Sequence, residues 1–315
     1  MPPSHVLMAL SVPLMWGMGI VFAKAALDQF PPILLMAFRF AVTASVLVWF
    51  VRPPWPLMGR ICLIALVSAA IQYGFTFTGL KYLDASVTVL LVQLEVPILV
   101  LLGAVFLGER PGWRKFAGIA VAFIGVVLIA GDPKFDGAYG PFFLVLVGVT
   151  TWAIGQIMVR RLGDVGGFTL IAWVAVFATP QLFVASWLIE DDQWRLIREA
   201  DWVVWSTVVY MGLVMTALAY GLWYRLLGKH PVNQVAPYLL LLPVFSILGS
   251  VLVLGESLTL RVAAGGAIIV AGVAAIVVER AKPRLADVSG TLSASGPAVS
   301  GGSAPATARG SRRRR

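Results

Sequence analysis

DASVTVLLVQLEVPILVLLGAVFLGERP, residues 84–111, is a hydrophobic run long enough to cross a lipid bilayer, and it carries a carboxylate, Glu95, about halfway along. With a rise of 1.5 Å per residue, Glu95 lies roughly 15 Å from the start of the run, near the middle of a hydrocarbon core about 30 Å thick. Nothing in that layer solvates an anion. A residue of this kind faces a polar cavity, pairs with a cation or takes up a proton, because an unpaired charge in hydrocarbon is costly. Glu95 is therefore either a buried structural partner for another polar side chain or a functional group.

The composition fits the same reading. Of 315 residues, 59% are hydrophobic and 12% charged, where a soluble domain carries about 25% charged residues. The chain reads as an integral membrane protein whose environment is the lipid bilayer. Its net charge of +9 does not point to nucleic acid, since four arginines form the terminal run Arg312–Arg315 and most other cations flank hydrophobic segments, where they anchor spans and set topology. One cysteine, Cys62, excludes an internal disulfide, and two histidines, His5 and His230, are too few for a metal cluster, so no metal and no cofactor is expected. Ala23-Lys24-Ala25 has the form of a leader cleavage site, but no cation precedes it, and the stretch before it is long and carries Pro13 and Trp16. It reads as a membrane helix.

Apolar windows occupy residues 6–26, 32–51, 59–80, 85–107, 113–131, 139–159, 167–190, 202–226, 232–254 and 261–280, which makes ten spans in an all-α integral membrane fold. Pro13, Pro97, Pro180, Pro237 and Pro243 fall inside them and predict kinks. In the loops on the N-terminal side lie twelve lysines and arginines, against six on the other side. That bias predicts cytoplasmic N- and C-termini. Beyond residue 281 the sequence turns to Ser, Gly, Ala, Pro and Arg, a composition that predicts a disordered cytoplasmic tail over 282–315.

The two halves of the chain repeat. A shift of 147 residues superimposes Tyr73-Gly74 on Tyr220-Gly221, Phe77 on Tyr224, Leu80 on Leu227, Gly108-Glu109 on Gly255-Glu256, Gly118 on Gly265 and Gly125 on Gly272. Earlier in each half the offset is 136, which aligns Trp16 with Trp152, Gly19 with Gly155 and Lys24 with Arg160. The repeats are expected over 1–132 and 133–281, five spans each. An odd number of spans makes the second half enter the membrane from the opposite side, the inverted-repeat plan of many secondary transporters. The connection between the seventh and eighth spans, EDDQWRLIREADW, places Trp194, Ile197 and Trp202 on one helical face and predicts an interfacial helix. The stripes Gly118, Ala122, Gly125 and Gly265, Gly272 let backbones approach closely, either inside each half or across a homodimer.

Several polar groups lie within the spans. Arg39 sits roughly 10 Å deep and cannot shed its charge, which leaves three readings: an ion pair with Glu95 or another acid, snorkelling to the outer interface, or direct capture of a substrate carboxylate. Burial disfavours a Glu95 anion and a nearby Arg39 would favour it. If desolvation wins, Glu95 is a candidate for proton coupling. Gln72 and Tyr73 on the third span, Tyr220 on the eighth, Trp16 on the first, Trp152 and Gln156 on the sixth, Gln93 on the fourth, and Asn233 and Tyr238 on the ninth add hydrogen-bonding groups and flat apolar faces. As a set they suit a small-molecule substrate that is partly polar and partly apolar.

The sequence resembles the EamA branch of the drug/metabolite transporter superfamily, and within it the exporters of the O-acetylserine and cysteine type. The resemblance rests on MWGMGIVFAKAAL at 15–27, PPILLMAFRF at 31–40, ASVTVLLVQLEVPILVLLGAVFLGER at 85–110 and FAGIAVAFIGVVL at 116–128. The second half adds TWAIGQIMVRR at 151–161, AYGLWYRLLGKHPVNQVAPYLLLLPVFSILGSVLVLGE at 219–256 and AAGGAIIVAGV at 263–273. It implies ten helices in two inverted five-helix repeats around a central cavity, and export of small metabolites, often amino acids or their derivatives. Trp16, Arg39 and Glu109 match family positions. The chain differs at Glu95, where exporters of this type often carry Gln.

The leading expectation is thus a secondary transporter of a bacterial inner membrane that exports an amino acid or derivative by alternating access, with proton coupling through Glu95. The alternative is a lipid-carrier flippase or an accessory protein of envelope biosynthesis. No phosphate-binding loop is present, so uphill transport would draw on a gradient. No Ser/His/Asp set or second intramembrane acid accompanies Glu95, which argues against an enzyme.

Overall fold

The computed structural model describes residues 1–135, 139–163 and 165–277, apart from the side chains at 135, 232 and 233. The tail expected over 282–315 lies outside the described residues. Among the described residues ten helices are long and apolar enough to cross a membrane: α1 (Pro3–Ala26), α2 (Pro32–Phe50), α3 (Trp55–Tyr82), α4 (Ala85–Phe106), α5 (Trp113–Ala130), α6 (Tyr139–Leu162), α7 (Gly167–Ile189), α8 (Trp202–Leu227), α9 (Ala236–Leu254) and α10 (Leu260–Val277). Each closes its backbone hydrogen bonds on itself, the condition lipid imposes on any spanning segment. The chain is a multi-pass membrane protein built from two inverted repeats of five helices.

The repeat seen in the sequence is kept in the backbone. Helices α5 and α10 start at Trp113 and Leu260, 147 residues apart. Gly108 and Gly255, the residues that follow α4 and α9, both adopt a left-handed conformation, with φ of 67° and 69°. That conformation is open to glycine and strained for other residues.

The seams between helices follow from side-chain size. The closest approach is α5 on α10, where a Cβ added to Gly125 would stand 2.6 Å from the carbonyl of Gly265, and one added to Gly272 would stand 2.6 Å from that of Gly118. Without side chains there the two backbones touch, and close van der Waals contact replaces the hydrophobic drive that lipid cannot supply. This corrects the sequence expectation. The glycine stripes pack one half against the other within the chain, rather than inside each half or across a homodimer. Other seams join α2 to α7, α3 to α6, α1 to α9 and α4 to α6.

Where the helices depart from regularity, the repeat again matters. The hydrophobic run of α4 is two helices, α4a (Ala85–Val92) and α4b (Glu95–Phe106), with a break at Gln93-Leu94. Pro97, which has no N–H to give, lies in the first turn of α4b. In α9 the chain enters through a 3₁₀ segment, α9a (Ala236–Leu241), and becomes α-helical as α9b (Leu242–Gly249), with Pro237 and Pro243 at the two starts. Glu95 and Leu242, the first residues of α4b and α9b, are equivalent under the 147-residue shift. Pro13 and Pro180, by contrast, lie inside uninterrupted helices. Helices α3 and α8 each contain a π-helical stretch, Leu66–Ile71 and Tyr210–Leu218, at overlapping repeat positions.

The connection after α7 forms a helix over Gln193–Glu199. Trp194 is exposed, as expected of an interfacial residue, but Ile197 packs on the bundle and Trp202 is the first residue of α8. The three do not share one helical face because the short helix ends at Glu199. Glu190, at its start, accepts hydrogen bonds from the N–H groups of Ile33 (2.7 Å) and Leu34 (2.9 Å). These are the first free donors after Pro31 and Pro32, so Glu190 caps α2. Burial pushes its carboxyl above the ordinary value, against the pull of those two donors.

Candidate functional site

Arg39 comes from the middle of α2 and is 1% exposed. Its Nε and Nη2 donate to Thr216 Oγ1 at 3.3 and 3.2 Å, and its Nη1 lies 3.8 Å from Met36 Sδ. The guanidinium carbon stands 4.6 Å from the centre of the Tyr73 ring and 5.3 Å from that of Phe40, in range for cation–π attraction. Among the described residues no carboxylate forms an ion pair with it. Two of the three sequence readings therefore fail in this conformation: Arg39 neither pairs with Glu95 nor snorkels to the interface. Hydroxyl and π-electron partners hold the charge where lipid or an apolar core would not.

The π-helical stretch of α8 makes this arrangement. Widening a helix by one residue per turn re-aims its side chains and loosens its carbonyls. Thr216 donates to the carbonyl of Met211, five residues back, at 2.8 Å, and so presents its oxygen to Arg39. One residue earlier the carbonyl of Met215 accepts a 2.9 Å hydrogen bond from Trp16 Nε1 on α1. The Trp16 ring then lies 5.0 Å from Tyr220 and 6.2 Å from Trp223, and Tyr220 lies 6.2 Å from Tyr224. These centroid distances are those of interacting aromatic pairs. Tyr220 thus stands between the rings of Trp16 and Tyr224.

Glu95 is half-buried. Among the described residues it has no hydrogen-bonding or ion-pairing partner, and it stands in the first turn of α4b, where the helix dipole and free N–H groups favour an anion. Gln93, in the break, is half-buried and two residues away in sequence.

Not every expected residue joins this centre. Gln72 is 3% exposed and its Nε2 donates to Thr76 Oγ1 at 3.4 Å, with Thr76 packed on Gly148 of α6. It belongs to the α3–α6 seam. Trp152 and Gln156 are half-buried on α6, and the indole of Trp152 makes no hydrogen bond like that of its repeat partner Trp16. Tyr238 packs with Ala9, Leu226, Val235 and Trp223 and extends the aromatic wall toward the N-terminal face. The side chain of Asn233 lies outside the described residues. Conversely, Thr216, Phe40 and Met36 were not expected. A hydroxyl in the middle of an apolar span was the available signal for Thr216, and the π-helical turn that aims it has no signature in the sequence.

Residues 3–131 and 140–278 each match the EamA-like transporter family. The chain belongs to this family. The two EamA-like matches fall on the two five-helix halves. A Salmonella typhimurium protein named as a probable amino-acid metabolite efflux pump is 30% identical over 275 residues, 84% of this chain and 92% of the relative. An Escherichia coli protein of the same description is 30% identical over 263 residues, 80% of this chain and 87% of its own. An uncharacterised transporter of Archaeoglobus fulgidus is 26% identical, covering 87% of this chain and 99% of the relative. The EamA-like fold also recurs in a solved crystal structure with a TM-score of 0.59 and 21% identity, which covers 86% of this chain and 96% of that one.

Proposed function

We propose that this protein is a secondary exporter of an amino acid or amino-acid derivative, resident in a bacterial inner membrane with both termini in the cytoplasm, and that it works by alternating access. The observation that carries the reading is the buried Arg39, without a carboxylate partner among the described residues, set against Tyr73 and held by Thr216, whose neighbour Met215 fixes Trp16 against Tyr220. A fixed cation with only neutral partners gives the centre a positive potential that attracts a carboxylate, while the aromatic faces take up an apolar side chain. The names of the two enterobacterial relatives support the same substrate class.

Glu95 is the group we assign to proton coupling. With no partner to hold the anion, its charge follows hydration, and hydration changes when the space beside it opens to one face or the other. Counterflow in proteoliposomes with a panel of labelled amino acids at several pH values tests both assignments. Saturable exchange that is lost in Arg39→Ala supports the reading, and Glu95→Gln should flatten the pH profile while leaving exchange measurable. Activity on a lipid carrier, with no exchange of any amino acid, would replace the exporter by the flippase. A pH profile untouched by Glu95→Gln would remove the proton role.

A further inference from the structure

The face opposite the N-terminus, called here the far face, is tied together across the two repeats. Both carboxylate oxygens of Glu256, which follows α9, cap the start of α4a: Oε1 accepts from Ala85 N at 2.6 Å, and Oε2 from Ser86 N at 3.1 Å and Ser86 Oγ at 2.7 Å. Beside it Lys24 Nζ donates to the carbonyls of Leu80 (3.0 Å) and Lys81 (2.9 Å) at the end of α3. Both groups have repeat partners on the N-terminal face. Glu256 corresponds to Glu109, and Ala85-Ser86 to Val232-Asn233; Lys24 corresponds to Arg160, and Leu80-Lys81 to Leu227-Gly228.

On the N-terminal face these partners are arranged differently. Arg160 does not reach the end of α8 but forms an ion pair with Glu109, whose side chain is 47% exposed. The helices around them show the same inequality. Ala85 to Leu91 of α4a are all buried, whereas among the described equivalents, 234–238, Val235 is buried and the others are not. The half-helix α9b packs along α4a, while its repeat equivalent, α4b against α9a, makes at most a marginal contact. An inverted repeat in which one end of a seam is closed and the equivalent end is not is a protein in one of two mirror-related states.

We propose that Glu256 and Glu109 are alternating latches: Glu256 caps α4a while the far face is closed, and Glu109 leaves Arg160 to cap the chain start at Val232 when the N-terminal face closes, freeing Arg160 for the carbonyls of Leu227 and Gly228. In this cycle they are positioning residues and do not touch the substrate. Each carboxylate stabilises one state only, and a cap made of charge-assisted hydrogen bonds is strong enough to bias the equilibrium by about tenfold. The inference rests on alternating access, but on no particular substrate.

Its test is a pair of spin-label distances in the full chain, reconstituted without substrate, in a Cys62→Ser background. Labels replacing Tyr82 and Leu258, both exposed, report the far face, and labels replacing Phe106 and Lys229 report the N-terminal face. Glu256→Ala should lengthen the far-face distance and shorten the other, moving the population ratio by about tenfold, with Glu256→Gln intermediate. Glu109→Ala should move both distances the opposite way or leave only the far-closed population. If Glu256→Ala leaves the far-face distribution unchanged, or shifts it in the same sense as Glu109→Ala, the latch is wrong. Loss of folded protein in both Glu256→Ala and Glu256→Gln also overturns it, since a cap needed in every state cannot be released in one. A shift in distances without amino-acid exchange would instead leave the latch standing and remove the exporter assignment.

Discussion

The seam between α5 and α10 and the seam between α4 and α9 are both made by helices related through the repeat, yet they behave differently. Along α5 and α10 the contact is symmetric: Gly125 meets Gly265, and Gly118 meets Gly272, each at backbone distance. Between α4 and α9 only one end is packed. The difference follows from side chains. Glycine against glycine leaves a backbone surface that fits in one register, whereas Leu, Val and Pro on helices broken at Gln93-Leu94 and at Leu241-Leu242 can separate without opening a backbone-to-backbone contact. In the proposed cycle one seam is the axis and the other the hinge.

The strongest way to break that distinction is at the axis. Gly125→Leu places a side chain where a Cβ alone would already be 2.6 Å from a carbonyl. We expect a loss of about 3 kcal/mol, read as aggregated or unfolded protein in size-exclusion chromatography and a lowered thermal midpoint in detergent. Retention of wild-type stability would show that the two halves are not joined there. A smaller effect tests whether the repeat partners Trp16 and Trp152 are truly unequal. Trp16→Phe removes the donor to Met215 and should cost about 1 kcal/mol and impair transport, while Trp152→Phe, which loses no such bond, should leave the thermal midpoint nearly unchanged. Equal effects would mean that the asymmetry is not maintained in the membrane.

The smallest effect concerns pH at the closed face. Asp132 is held below the ordinary carboxylate value by the hydroxyl of Thr259 and the N–H of Lys134. A carboxyl with a lowered value in the folded state contributes stability above its unfolded value and loses it as the pH falls through the folded one. Far-face closure should therefore weaken only at the acid end, below about pH 4. In Asp132→Asn that acid-dependent step should disappear from the far-face distance. A step that persists would point to another carboxyl.

Much of this was legible in the residues alone, and the reason is the solvent. Lipid demands long apolar helices, so ten spans and their order follow from hydropathy, and the 147-residue register follows from glycines and aromatics that recur where backbones touch. Glu95 stood out for the same reason. The choice of partners was not legible. The stripes Gly118 to Gly125 and Gly265 to Gly272 show that something approaches closely but not what, and Arg39 announced a buried charge without announcing that Thr216 and Tyr73 would hold it.

The sequence by itself therefore determined the membrane class, the number of spans and the inverted repeat, because each depends on local composition and periodicity. Only the tertiary structure decided which halves the glycines join, where α4 breaks, that Arg39 rests on Thr216 and Tyr73 and not on Glu95, and which end of the α4–α9 seam is packed. Those outcomes depend on contacts between residues a hundred or more positions apart. The stretch at 84–111 shows both sides of this: its hydropathy gave the span and its acid, but the cap from Glu256 that closes it comes from the other repeat.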